Sequence, residues 1–156
     1  MYGRGECFCT DINDFRLKTA NSLGIKTINV EKESIEIKTY SYAPDGFDIA
    51  IVSVTSPAVI NQALQLVRRG GRVIIVSVFT SDIPINMGTI QANEIEIKGS
   101  NVYTSEDFNQ SLRILTERAQ DLEYIVTHHM KLNEINEAMQ ELNNPKNQAL
   151  KIIIDL

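Results

Sequence analysis

Apolar positions along this chain switch between strand-like and helix-like spacing, and the switches predict its elements in order. Phe8, between Cys7 and Cys9, opens a strand-like run that ends at Asp11. Asn13 or Asp14 can cap the helix that follows. Its apolar positions Leu17, Ala20 and Leu23 recur at helical spacing, and Gly24 suits its end. Ile25 to Val30 reads as a second strand, and the charged stretch Glu31 to Tyr42 as a weak helix around Ile35 and Ile37. Ala43-Pro-Asp-Gly46 is a turn. Phe47 to Val54 is almost continuously apolar, the pattern of a parallel strand buried on both faces. Ser56-Pro57 starts a helix with the stripe Ile60, Ala63, Leu64 and Val67, closed by Gly70-Gly71.

The second half continues the alternation. Arg72 to Phe79 is another buried strand, β-branched through its middle. Pro84 assigns Ser81 to Asn86 to an edge. Met87 to Asn93 reads as a short helix. In Glu94 to Lys98, Ile95 and Ile97 alternate with charge up to Gly99. Thr104-Ser-Glu-Asp107 fits a capping box ahead of a helix face of Phe108, Leu112 and Leu115. Tyr124 to Thr127 is short and extended. Leu132, Ile135, Met139 and Leu142 give a last amphipathic helix, stopped by Asn143-Asn144-Pro145, and Ala149 to Leu156 is a terminal strand. Strands alternating with helices argue for an α/β fold with a parallel sheet.

Composition narrows the function classes. Lys plus Arg number 15 against 20 Asp plus Glu, a net charge of −5. That argues against a nucleic-acid binder, which needs clustered cations. The adjacent pair Arg68-Arg69 reads as a complement to a helix C-terminus. No apolar run is long enough to span a bilayer. The 156 residues fit one domain. The two cysteines, Cys7 and Cys9, share one strand face, are poorly placed for a mutual disulfide, and read as small core residues. A reducing cytoplasm is the expected compartment. His128 and His129 point to opposite sides of an extended segment and cannot readily chelate one metal. Ser53, Thr55 and Ser77 have no base nearby in sequence to make them nucleophiles. Neither catalytic residues nor metal ligands are assigned.

Asp11 has two readings. It is a turn and capping residue, or it is the carboxylate at a strand tip that takes ribose hydroxyls in dinucleotide-binding folds.

Six pieces then stand in a telling order. They are Asp11 with Arg16-Leu17, Ala20 and Leu23-Gly24; Gly46-Phe-Asp48 before an apolar strand; and Arg69-Gly-Gly-Arg-Val73 with its strand. After them come Glu94, Ile97, Gly99-Ser100, Tyr103 and Asp107-Phe108; Ile125-Val-Thr-His128 with Leu132 and Glu137-Ala138; and Lys151-Ile-Ile-Ile154. Their order and spacing resemble the cofactor-binding half of the zinc-type medium-chain alcohol and polyol dehydrogenases. The Gly-Ser, Tyr and Asp-Phe portion looks most like the polyol and butanediol branch.

The resemblance implies a truncated Rossmann-like, doubly wound parallel sheet with flanking helices: a single partial NAD-binding domain over residues 1–156, with the catalytic zinc domain absent. Asp11 would take the ribose hydroxyls and favour NAD over NADP, with Arg16 along the adenosine side. Ser53 and Val54 would flank the adenosine; Val76, Ser77 and Val78 would approach the nicotinamide side; Lys151 would lie near the pyrophosphate. Val52, Thr55 and Ser77 stand where the family commonly has an acidic residue, a glycine and a glycine, and Ser77 would narrow the cofactor's approach. The Asp82 to Asn86 edge would pair with its copy in a homodimer. The family's zinc ligands lie in the catalytic domain, which a separate chain would have to supply. The sheet's central strand and the partner of the final strand are expected to be missing, which leaves open edges. Two functions follow: the NAD-binding portion of a dehydrogenase of secondary alcohols, inactive alone, or a non-catalytic remnant or dimerisation module.

Overall fold

The computed structural model describes residues 5–144 and 147–156. The expected stop at Pro145 and the start of the polar N-terminus lie outside the described residues. The chain forms two compact units, Met1–Ser34 with Thr104–Leu156 and Ile35–Tyr103.

The first unit opens with β1 (Phe8–Asp11), α1 (Asp14–Ser22) and β2 (Lys26–Asn29). β1 and β2 pair in parallel, with Asp11 opposite Asn29. Asn13 caps α1, and Gly24 just past its end takes φ +81°, which a side chain would resist. Cys7 is exposed and Cys9 partly so, so they are not the core residues expected. Leu17 and Ile28 fill the interior instead.

The second unit carries α2 (Ile35–Tyr42), β3 (Phe47–Val52), α3 (Pro57–Leu66), β4 (Val67–Ile75), α4 (Met87–Ala92) and β5 (Glu96–Gly99). β3, β4 and β5 form a parallel sheet in that order. Val52, Ile60, Ala63, Leu64, Val67, Val73 and Ile95 are its buried core. Gly46 is required: a Cβ there would lie 2.6 Å from the Arg68 nitrogen.

Two expectations about this unit change. α3 ends at Leu66, and Arg68-Arg69 belongs to β4, so the pair does not complement a helix end. Arg68 pairs with Asp48, Arg69 with Glu94 and Arg72 with Glu96, charges that strand neighbours supply. β3 is not buried on both faces, because Ile49 and Ile51 are 49% and 67% exposed. Within the unit α3 packs on β3, and Val52 lies in the core with Ile60 and Leu64.

The first unit resumes with α5 (Ser105–Glu117), α6 (Ala119–Leu122), β6 (Val126–Lys131), α7 (Ile135–Asn143) and β7 (Lys151–Asp155). The Thr104–Asp107 capping box forms as the sequence indicates. β7 does have a strand partner, contrary to expectation: it pairs in parallel with β6, which is longer than the Tyr124–Thr127 segment foreseen. No helix among the described residues is long and apolar enough to cross a membrane.

Candidate functional site

In the first unit the candidate residues gather at the carboxyl tip of β1. Asp11 is its last residue, and its carboxyl Oδ1 accepts the Asn13 backbone N–H at 2.9 Å. This local bond fixes the turn into α1. The other carboxyl oxygen stands 3.6 Å from the Arg16 guanidinium, and a quarter of the side chain remains exposed. Asn29 braces the turn from β2: its Nδ2 donates to the Ile12 carbonyl at 3.1 Å and to Asp14 at 2.7 Å. Asp14 also pairs with Lys32. Hydrogen bonds from Lys32 and then Asn29 hold the Asp14 carboxyl below its usual range. A cleft beside the turn is lined by Ile12, Asn13, Asp14, Phe15, Lys32 and other residues; Asp11 is not in its wall.

Asn29 and Lys32 are not among the residues singled out from the sequence. The one signal for Asn29 is its place at the end of a strand parallel to β1.

In the second unit, Ser53, Val54, Val76, Ser77 and Val78 follow the carboxyl ends of β3 and β4. The backbone N–H groups of Val76 and Ser77 both donate to the Val52 carbonyl, at 3.0 and 3.2 Å. The Thr55 hydroxyl donates to the Val78 carbonyl at 3.1 Å. Val54, Val76 and Val78 are exposed, an apolar rim at the end of a parallel sheet where such folds bind ligands. The Ser77 Oγ is buried and has no hydrogen-bond partner among the described residues. The hydroxyl oxygen is therefore turned away from solvent.

Lys151 begins β7, opposite Val126, and is exposed. No carboxylate among the described residues pairs with its ammonium.

His129 faces Asp155 at 3.3 Å, and the His128 ring contacts Thr127. Among the described residues, no group of three His, Cys, Asp or Glu side chains could hold a metal. Burial, then the Asp11 charge, pushes the Cys9 thiol up, away from thiolate chemistry.

Known proteins share this fold. The profile of the family described as zinc-binding dehydrogenase matches residues 1–117. Sorbitol dehydrogenase of Bacillus subtilis is 31% identical over 98% of this chain and 44% of its own length. An alcohol dehydrogenase from Thermus sp. ATN1 superimposes with a TM-score of 0.84 at 25% identity, over 98% of this chain and 45% of that one. An alcohol dehydrogenase of Escherichia coli, solved in complex with cofactor NADH, shares the fold: TM-score 0.82 and 16% identity, over 96% of this chain and 44% of that one. The chain spans less than half the length of the relatives it matches. With the profile covering three quarters of its residues and the sorbitol dehydrogenase nearly all of them, the chain belongs to the zinc-binding dehydrogenase family.

Proposed function

We propose that this chain is the cofactor-binding portion of an NAD-dependent alcohol or polyol dehydrogenase, one that moves a hydride between a secondary alcohol and NAD. The observation that carries the reading is Asp11 at the tip of β1, partly exposed, with its charge offset by Arg16 and its carboxyl oriented by Asn13. Each carboxylate oxygen keeps a lone pair for a ribose hydroxyl. Arg16 lies along the adenosine side, Ser53 and Val54 flank the adenosine, and Val76, Ser77 and Val78 meet the nicotinamide side. Lys151 offers its ammonium to the pyrophosphate. The cofactor, when bound, supplies the hydride acceptor; the residues of this chain bind and orient it. Zinc chemistry belongs to a catalytic domain outside these 156 residues, carried on the same polypeptide or on a separate chain. The likeness to sorbitol dehydrogenase supports a polyol as the substrate class. Two free cysteines fit a reducing, cytoplasmic setting.

A homodimer accompanies this reading, formed by residues 82–86 of two copies. Its support is the side chain of Asn61, which accepts from the Asn86 N–H at 2.9 Å and donates to the Pro84 carbonyl at 3.1 Å. The opposite edge of that segment is left to a partner.

The test is calorimetric titration of the purified chain with NADH, beside Asp11→Ala. Binding that the variant loses supports the reading. No binding at millimolar NADH favours the second function, a non-catalytic dimerisation module, for which Val52, Thr55 and Ser77 at the family's acidic and glycine positions are the supporting observation.

A further inference from the structure

Asn13 uses nearly all of its polar capacity at the β1 tip. Its backbone N–H donates to Asp11 at 2.9 Å, and its Oδ1 accepts from the N–H groups of Phe15 and Arg16 at 2.9 and 3.3 Å. Its Nδ2 donates at 2.9 Å to the backbone carbonyl of Asn147, 134 residues away. Both residues are buried, Asn13 at 8% exposure and Asn147 at 2%. Asn147 is held in turn. Its Nδ2 donates to the carbonyls of Glu141 and Leu142 at 2.9 and 3.2 Å, and its N–H to that of Asn144 at 3.0 Å. The Leu142 carbonyl, and that of Glu141, which also accepts the Asn144 N–H at 3.1 Å, belong to the last turn of α7. The Asn147 Oδ1 has no partner among the described residues, so its amide serves as a donor.

Helix capping alone does not require asparagine at position 13, since serine or aspartate supplies the same acceptor. What asparagine adds is the donor, and the donor goes to Asn147. Both restraints on the Asp11 carboxyl also pass through Asn13. One oxygen is held by its N–H. The Arg16 that faces the other starts its helix on the Asn13 cap.

We propose that Asn13 and Asn147 are positioning residues for cofactor recognition: a buried clasp that fixes the turn from Asp11 to Asn13 in the orientation in which the carboxylate meets the adenosine ribose of a nicotinamide dinucleotide. The proposal rests on the reading of Asp11 given above. With the clasp open, the turn gains rotational freedom that binding must remove again, a loss of about three- to tenfold in affinity.

The test is titration of the whole 156-residue chain and its variants with NADH and with NADPH. Asn13→Ser keeps the cap and removes the amide donor. Asn147→Ala releases the segment at its other end and keeps the test open if Asn13→Ser does not fold. Asp11→Ala sets the reference. In either clasp variant NADH affinity is expected to fall about three- to tenfold while NADPH affinity holds, so the NADH/NADPH ratio moves toward that of Asp11→Ala. Adding Asn13→Ser to Asp11→Ala is expected to cost nothing further. An unchanged ratio in folded clasp variants, with Asp11→Ala losing it, overturns the clasp and leaves the Asp11 reading standing. Wild-type NADH affinity in Asp11→Ala overturns that reading itself, and the clasp with it.

Discussion

The Arg16 guanidinium stands 3.6 Å from the Asp11 carboxylate, one helical turn into α1, with both groups in reach of solvent. A half-exposed ion pair of this kind is worth little in stability, about 0.2–1 kcal/mol. Its weight falls on the sign of charge at the β1 tip. Removing Arg16 leaves Asp11 uncompensated, which a 2′-phosphate feels more than a ribose hydroxyl does. Arg16→Ala is therefore expected to lower NADPH affinity by about two- to fivefold more than NADH affinity, from the energy of such a pair. Parallel titrations check it, and an equal loss for both cofactors would place Arg16 outside the ribose site.

Ser77 carries a buried hydroxyl with no partner among the described residues. An unmet buried polar group costs about 1–3 kcal/mol. Ser77→Ala removes it with the loss of one atom, so the variant is expected to be the more stable protein by about 1 kcal/mol or more. Urea unfolding measures the difference, and a destabilised variant would mean that the hydroxyl has a partner in solution.

Three carboxyls sit below their usual range because hydrogen bonds favour the charged form. Lys32 and Asn29 hold Asp14, Arg69 holds Glu94, and the Thr104 backbone and hydroxyl hold Asp107. A folded-state value below the unfolded one contributes stability above the unfolded value, and that stability disappears as pH falls through the folded one. The protein is thus expected to lose stability progressively in acid below the ordinary carboxylate range. Thr104→Ala keeps the backbone N–H that holds Asp107 and removes the hydroxyl bond, so it should take away part of the Asp107 share and shallow that slope slightly, besides costing α5 its cap at about 1 kcal/mol. Unfolding followed from pH 7 downward in both proteins checks it; identical slopes would count against the box.

How far the sequence carried this fold differs by element. Leu17, Ile28, Ile60 and Leu64 sit where periodicity puts them, because a buried apolar stripe is a local pattern. The capping box at Thr104 was equally legible, and the cap of α1 was narrowed to Asn13 or Asp14, of which the structure takes Asn13, since side chain and backbone partner lie within three residues. The Arg68-Arg69 assignment failed because a glycine pair can close a helix or interrupt a strand. Here Gly70, at φ +66°, is a break inside β4, whose register against β3 jumps from Val67 to Arg72. Ile49 and Ile51 look like core in sequence, but what covers a strand face is decided by tertiary neighbours that no local pattern encodes. Asp11 was legible as a strand-tip carboxylate. The Asn147 end of its support was not, because nothing in a string of letters joins residues 134 apart.

The dimer reading makes the sharpest demand on residues 82–86. Backbone groups of an extended segment point alternately to its two sides, so the Pro84 carbonyl and the Asn86 N–H share one side. Asn61 occupies both of them. The N–H that Pro84 lacks would have faced the same way, so the proline costs the other edge nothing. That edge presents the backbone of Ile83 and Ile85, which makes no hydrogen bond among the described residues while the two side chains pack against the core. Ile85→Pro removes a donor from the open edge and is expected to weaken a dimer at least about tenfold, the worth of one hydrogen bond left unmade on each side of a two-fold. Pro84→Ala restores an N–H on the occupied side and should leave it intact. Asn61→Ala frees the inner edge and should weaken the dimer without touching the outer one. Sedimentation of the four proteins at matched concentration, with thermal unfolding to confirm that each is folded, decides the matter. A wild-type monomer would remove the dimer altogether, and a folded Ile85→Pro dimer would move the seam elsewhere on the surface.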